Sequence, residues 1–395
     1  MTGVRRIAFV NPFAQEVSGP DESLLLLIRG LDRSRYSPVV YLPERGRYHD
    51  LYLEAGAEVH ILSMYPLRRF TRSLDILRYV FGFPLRTLRF LRRFRIEKID
   101  LVHTNMEVVL ESSIAGRLLR VPTITHVRGN ASAHPKLFFD VFFRILVCCS
   151  SVVITISGSV AELFTRRGIV TGVRVIHNAV DLSQYPEEDE SGAGVAVRSE
   201  LGIAQEALLT GMIGRFNPRK GIEVLVDAAA RLADRHPQVE FLLVGEATGE
   251  HELRYITRLR DRILALGLWN RFHIVGARSD VPALMSALDV LVLSSFEEGF
   301  GRVIIEAMAR SRPVVATDQG GPREIVEDGL TGRLVPPGDA IALACALDQL
   351  CCDPELRRRM GEAGRLRVVE RFALPQHVRR VTEVYDQLLD GGPRN

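Results

Sequence analysis

Short β-branched runs alternate with longer amphipathic stretches along the whole chain. The first run, Arg5 to Val10, ends at Asn11-Pro12; a polar loop with Ser18-Gly19-Pro20 follows, then an apolar helix from about Ser23 to Gly30. The same strand–loop–helix unit recurs with VVYL at 39–42, EVHIL at 58–62, LVHT at 101–104, TITHV at 123–127, VVITI at 152–156 and VRVIH at 173–177. Short β-branched runs between helical stretches predict a mostly parallel sheet covered on both faces. The greasiest stretch, Leu137 to Ile156, is broken by Asp140, Arg144 and a serine pair. It predicts a helix followed by a buried strand rather than a membrane span.

The pattern changes at Pro186 to Gly194, where PEEDESGAG lacks apolar periodicity and predicts a linker. A second series then begins: LLTGMIG at 208–214, EFLLVG at 240–245, FHIVG at 272–276, DVLVLSS at 289–295, PVVAT at 313–317 and GRLVP at 332–336. Helical periodicity fills intervals such as Ile222 to Ala233 and His251 to Leu266. The expected fold class is α/β: two doubly wound Rossmann-like domains facing a central cleft at the carboxyl ends of their strands. The expected division is an N-terminal domain at 1–183, a linker at 184–204, a second domain at 205–374, and a C-terminal helix and tail at 375–395 able to pack on either domain.

Composition supports this division. At 395 residues the chain suits two domains of roughly 150–200 residues each. Hydrophobic content of 47% with 25% charged residues provides for two cores and excludes general disorder. The net charge of +3 conceals an asymmetry: residues 1–183 carry 25 basic and 16 acidic side chains, the remainder 26 and 32. The N-terminal half is therefore the one suited to an anionic partner. Cys148, Cys149, Cys345, Cys351 and Cys352 form neither a disulfide framework nor a metal-ligand spacing, which fits a reducing compartment. The start, MTGVRRIAFVN, has too short an apolar run for a secretory signal, so a cytoplasmic location is expected.

Two loops carry candidate chemistry. The first, SSFEEGFGRVIIE at 294–306, follows an expected strand and opens an expected helix near Arg302. Gly299 and Gly301 would let backbone approach a ligand, and free N–H groups at a helix start attract phosphate. Glu298 could accept hydrogen bonds from sugar hydroxyls. Glu306 lies about one turn into the helix, roughly 6 Å along its axis, where a carboxylate can accept both hydroxyls of a ribose. The competing reading is an acidic surface loop before a capped helix. The second loop, Gly214-Arg215-Phe216-Asn217-Pro218-Arg219-Lys220-Gly221, also links a strand to a helix. Arg215 and Lys220 are placed to stabilise a diphosphate leaving group as fixed cations, unless this is only a basic turn with solvated side chains. It is not a Walker loop, and the glutamate loop lacks the third glycine of the dinucleotide fingerprint, with Ile304 there instead.

IGRFNPRKG, LLVG, VGARSDVP, EEGFGRVIIEAMA and GGPREIVEDGLTGRLVPPGD, with VIHNAVD and the histidine of THVRGN earlier, resemble in order the motifs of the family-4 retaining glycosyltransferases of GT-B fold. The resemblance covers nearly the whole chain and is clearer in the C-terminal half. It implies hexosyl transfer from a nucleoside-diphosphate sugar with retained anomeric configuration, in cell-envelope glycan synthesis. Arg215 and Lys220 match the pair that binds the donor diphosphate. Glu298 matches the first acid of the Glu-x7-Glu motif, on the transferred sugar, and Glu306 the second, on the ribose. Gly299, Phe300 and Gly301 match the loop under sugar and phosphate, and Ala277 and Arg278 the contact to the base. His126 matches a catalytic-site histidine near the sugar; a strand-end cap is its other reading. Gly19 matches the glycine-bearing first loop, although SGPDES replaces the more usual Gly-Gly pair. No cofactor is expected, the nucleotide sugar being a co-substrate, and no metal: His103, His134 and His177 lack metal-ligand spacing.

Residues 66–98 hold nine arginines and one lysine against Asp75 and Glu97, interleaved with Leu74, Leu77, Phe81, Leu85, Leu88, Phe90, Leu91 and Phe94. A helix here has apolar and basic faces. Either it packs on the core with a solvated charged face, or it docks on an anionic membrane or a lipid-linked acceptor at the inner face of the membrane. Nucleic acid is not expected, since no binding motif accompanies the patch. Two other activities fit parts of the sequence: a GT-B epimerase or hydrolase acting on the donor alone, and a non-catalytic binding protein that retains the fold.

Overall fold

The computed structural model describes residues 3–14, 19–66, 73–129, 136–187 and 191–391. Ser18, His134, residues 67–72 of the basic stretch and 188–190 of the expected linker lie outside them. The chain divides into two compact units: Met1–Asn178 with Leu374–Asn395, and Ala179–Ala373.

The first unit runs β1 (Arg5–Val10), α1 (Gly19–Gly30), β2 (Tyr36–Leu42), α2 (Arg47–Glu54), β3 (Glu58–Ile61), α3 (Ser73–Ile96), β4 (Leu101–Thr104), α4 (Leu110–Leu119), β5 (Thr123–Val127), α5 (Lys136–Cys149), β6 (Val152–Thr155), α6 (Gly158–Thr165) and β7 (Val173–Val175). Its described strands pair in parallel in the order β3-β2-β1-β4-β5-β6-β7. Central strands bury both faces: Ile7, Ala8, Phe9 and Val10 are all fully buried, as the uninterrupted apolar run predicts. The first helix begins at Gly19, earlier than the expected Ser23, so Gly19 is its first residue rather than a loop glycine. Pro20, Asp21 and Glu22 suit a first turn, and Ser23 Oγ donates to the Gly19 carbonyl at 2.8 Å.

The second unit runs α7 (Ala193–Leu201), β8 (Leu208–Ile213), α8 (Ile222–Leu232), β9 (Val239–Val244), α9 (Glu250–Ala265), β10 (Phe272–Val275), α10 (Val281–Ala287), β11 (Val290–Leu293), α11 (Arg302–Ala309), β12 (Val314–Thr317), α12 (Pro322–Ile325), β13 (Gly332–Val335), α13 (Ala340–Cys352) and α14 (Pro354–Arg371). Its described strands are parallel in the order β10-β9-β8-β11-β12-β13. The expected linker at 184–204 is corrected here, because much of it is α7, which packs on α10. Arg198 anchors that helix: it is 7% exposed, donates to the Ala287 carbonyl at 2.9 Å and pairs with Asp289 at 2.8 Å. Flanking glycines and acids made the segment resemble a loop, while one buried arginine secures it to the sheet.

The last helix, α15 (Leu374–Asp390), belongs to the first unit. Val381, Val384 and Tyr385 are buried in the same core as Ile7, Phe9 and Leu101. Tyr36 and Arg35 both bond to Asp386 on its outer side.

Candidate functional site

In the second sheet the strand order reverses between the neighbours β8 and β11. Loops leaving such a pair diverge to opposite sides and open a crevice at the carboxyl ends, where open α/β sheets bind ligands. Both loops singled out in the sequence start there. The first closes in a 3-10 turn, Pro218–Lys220, and Gly221 with φ 60° opens α8. A Cβ at Gly221 would lie 2.3 Å from the Ser294 carbonyl oxygen, so only glycine lets the two loops approach this closely. Ser294 Oγ donates to the Gly221 carbonyl at 2.8 Å, and the Phe296 amide donates to the Arg219 carbonyl at 2.8 Å.

These bonds bring Lys220 and Glu298 together. Lys220 Nζ sits 2.7 Å from Glu298 Oε2, with the side chains 24% and 16% exposed. Ser295 Oγ is 3.4 Å from the same oxygen. Gly299 is half-buried, Phe300 is buried and meets Phe372 edge-on at 6.0 Å, and Gly301 with φ 92° opens α11. Glu306 is 3% exposed, and its carboxylate pairs with Arg302 one turn earlier at 2.6 Å. Arg302 was not among the expected site residues, although its i,i+4 spacing to Glu306 is visible in the sequence.

The other two cations are placed differently. Arg215 is exposed and forms no ion pair among the described residues. Arg278 follows β10, two strands from β8, and bonds to Asp280 at 2.9 and 2.6 Å and to Glu200 at 2.6 and 2.9 Å. Those carboxylates, Asp280 first, hold its charge firmly. The structure thus joins Lys220 with Glu298 but does not bring the Arg278 guanidinium onto them; Ala277 beside it is exposed.

In the first unit the order reverses between β1 and β4, and a buried polar network fills the carboxyl ends there. Asn105 Nδ2 donates to Asn11 Oδ1 at 3.0 Å, and Asn11 Nδ2 to Asp21 Oδ1 at 2.6 Å. Arg128 Nε donates to Asn105 Oδ1 and its Nη1 to Asn178 Oδ1, both at 2.8 Å. His126 lies inside β5, fully buried, so it does not cap the strand end. Its Nδ1 is 3.4 Å from Arg128 Nη2 and 3.3 Å from His103 Nε2. Burial, then Arg128, pushes His126 well below the ordinary histidine range and His103 down to about 3. Both rings are therefore neutral at physiological pH. Arg128 and His103 were not expected as site residues; Arg128 stands two positions from His126 in the same motif, whereas nothing in the sequence ties His103 to it.

Two groups of metal-capable side chains occur among the described residues: His236 with Asp348 and Cys352, and Glu58 with His60 and Glu97. Neither includes a candidate donor residue.

Comparison with known proteins matches the arrangement in both halves. The family model described as Glycosyltransferase Family 4 matches residues 17–184, and that described as Glycosyl transferases group 1 matches residues 196–367. The chain is 29% identical over 298 residues to the alpha-D-kanosaminyltransferase of Streptomyces kanamyceticus, across 71% of this chain and 75% of that enzyme. It is 33% identical over 235 residues to the lipopolysaccharide core biosynthesis glycosyltransferase LpsE of Rhizobium meliloti, across 59% of this chain and 62% of that enzyme. Among solved structures, Anabaena Alr3699/HepE in complex with UDP and glucose superposes with a TM-score of 0.81 at 27% identity, covering 96% of this chain and 99% of its own. Together the two family models take in well over half of the chain, which belongs to the family-4 glycosyltransferases of GT-B fold.

Proposed function

We propose that the chain transfers a hexosyl group from a nucleoside-diphosphate sugar, with retained anomeric configuration, to a glycan or lipid-linked acceptor of the cell envelope. The observation that carries this reading is the Lys220–Glu298 pair at the β8/β11 reversal: one cation and one hydrogen-bond acceptor, 2.7 Å apart, at a crevice suited to a sugar phosphate. Lys220 and the unpaired Arg215 take the diphosphate, whose negative charge grows as the glycosidic bond breaks. Glu298 accepts from the sugar hydroxyls, over the backbone of Gly299, Phe300 and Gly301. Glu306, fixed by Arg302, accepts from the ribose. The exposed Ala277 backbone and the stem of Arg278 border the base, and Gly19 and His126 belong to the sugar and phosphate side in the first unit. Fixed cations replace a metal, and no enzymic nucleophile is assigned, because the departing diphosphate can take the acceptor proton on the same face of the sugar. Support for the donor class comes from the HepE structures, which hold UDP with glucose and UDP-glucose. Support for the acceptor class comes from LpsE, a lipopolysaccharide core enzyme.

The acceptor side extends to an anionic membrane. On α3, Phe81, Leu85, Leu88 and Ile96 are 78%, 53%, 60% and 55% exposed, with exposed Arg89, Arg92 and Arg95 among them. No described helix is long and apolar enough to cross a membrane. Lying on it needs only an apolar stripe rimmed by arginine.

The test of donor chemistry is a thermal-shift screen of UDP-, GDP- and ADP-sugars, since a ligand at 100 times its Kd adds about 2.7 kcal/mol of stability. One donor class should raise the melting temperature. Lys220→Ala should weaken that shift and lower transfer about a hundredfold or more. Near-normal transfer by Lys220→Ala sinks the reading; consumption of the donor at the same rate without acceptor points to epimerisation or hydrolysis.

A further inference from the structure

His126 sits at the end of a chain of hydrogen bonds whose direction is fixed by chemistry. An arginine guanidinium only donates. Because Arg128 Nη2 faces His126 Nδ1 at 3.4 Å, that nitrogen is the acceptor, and the proton of the neutral ring is on Nε2. His103 Nε2, at 3.3 Å from the same Nδ1, then also donates, and the two donors share its one lone pair at long range. A neutral His103 that donates from Nε2 accepts at Nδ1, where the Tyr385 hydroxyl lies at 2.6 Å and donates. The two imidazoles stack with centroids 5.4 Å apart, and the Tyr385 ring meets His103 edge-on at 5.8 Å, so packing as well as bonding sets their planes. All three groups are fully buried. The groups facing them are Arg128 and, on α15, His377, whose Nδ1 is engaged by the His177 carbonyl at 2.7 Å. At the open end, His126 Nε2 is buried and has no partner among the described residues.

We propose that Tyr385, His103 and Arg128 are positioning residues that hold His126 as the Nε2–H tautomer, presenting one neutral, aimed N–H donor to a hydroxyl oxygen of the sugar. A buried N–H left without a partner is costly in a folded chain and is satisfied when a ligand oxygen arrives. Arg128 selects the tautomer directly. Tyr385 fixes His103 as the second donor to the same nitrogen from the far end of the chain, which makes the C-terminal helix part of the sugar-handling machinery. The last step, from His126 to a sugar oxygen, rests on the glycosyltransferase reading above; the tautomer itself does not.

The experiment therefore has two arms. Long-range proton–nitrogen correlation spectra of protein labelled with 15N-histidine, with His126 identified by its loss in His126→Gln, report which ring nitrogen carries the proton. Wild type at neutral pH should show His126 and His103 both as Nε2–H. Tyr385→Phe removes one hydroxyl without changing shape and should shift His103 toward mixed tautomers, loosening its hold on His126, which Arg128 still keeps as Nε2–H. Turnover should fall about tenfold with the donor KM little changed, in the range seen when a group that orients another is lost. His103→Gln, whose amide nitrogen can donate from nearly the same place, should keep most of the turnover, and His103→Leu should not. A His126 that is Nδ1–H or charged in wild type overturns the relay, as does an unmoved His103 tautomer in Tyr385→Phe. A shifted tautomer with unchanged turnover upholds the relay and removes His126 from the sugar.

Discussion

Glu298 has two partners to serve at different times. In the free chain it neutralises Lys220 at 2.7 Å, yet in the proposed reaction Lys220 turns to phosphate and Glu298 to sugar. Donor binding must break the pair, so the two roles separate by substitution. Glu298→Gln frees the ammonium while keeping shape. Affinity for a bare nucleoside diphosphate, measured by calorimetry, should hold or rise by up to about fivefold, the scale of a part-exposed ion pair of roughly 1 kcal/mol. Transfer should fall by about a hundredfold or more as a preorganised acceptor weakens. Loss of diphosphate affinity in this variant would mean that Glu298 orders the loop instead. At this scale the sequence is informative where chemistry is local: Lys220 and Glu298 follow strand ends, and Arg302 precedes Glu306 by one turn. It is silent where partners are distant, as with His103 and Tyr385, 282 residues apart, because no short-range pattern encodes that bond.

Elements were largely legible for the same physical reason. TITHV is β5 as expected, and the helix expected near Arg302 begins there, because burial on both faces and a glycine before a helix leave clear periodic marks. The linker failed because α7 is short and held by one arginine rather than by an apolar stripe. The basic stretch packs one face on the core, as one of its two readings expected, and the membrane reading rests on the other face. Phe90 and Phe94 of α3 are buried, and Arg86 is spent on the buried Glu111 at 2.7 Å, while the opposite face keeps its apolar residues in solvent. Leu85 and Leu88, already about half covered, each offer roughly 1–1.5 kcal/mol if a bilayer covers the rest, with arginines drawn to anionic headgroups. The protein should float with anionic vesicles and not with neutral ones at low salt. Replacing both leucines by serine should cut binding tenfold or more while leaving transfer to a soluble acceptor intact. Equal failure to float with either vesicle removes the membrane from the proposal.

Among the described residues the first unit encloses three histidines, whereas the second encloses His236. His103, His126 and His377 all lie in the first unit, nearly or fully enclosed. Burial lowers His103 to about 3 and His377 to about 4, with His126 well below its ordinary value. Above pH 6.5 both folded and unfolded forms are neutral and these groups leave stability unchanged. As pH falls below 6.5 the unfolded chain takes up protons that the folded unit refuses. Each histidine then costs about 1.4 kcal/mol per pH unit until its folded pKa is reached. Glu107 and Glu111, which burial pushes upward, act the other way in the same window, since the folded form protonates first; two such carboxyls do not offset three histidines unless both are raised far. Carboxyls held low in this unit, Asp32 and Glu58, withdraw their contribution only at lower pH still. Calorimetric melting between pH 7 and 5 should therefore lower the transition of the first unit. The sole tryptophan, Trp269, lies in the second unit, so its fluorescence identifies that transition separately. Replacing His377 by glutamine should flatten the pH slope by about one histidine's share. A first-unit transition that does not move between pH 6.5 and 5 would mean that the three rings are solvated in solution and that His126 is no neutral donor.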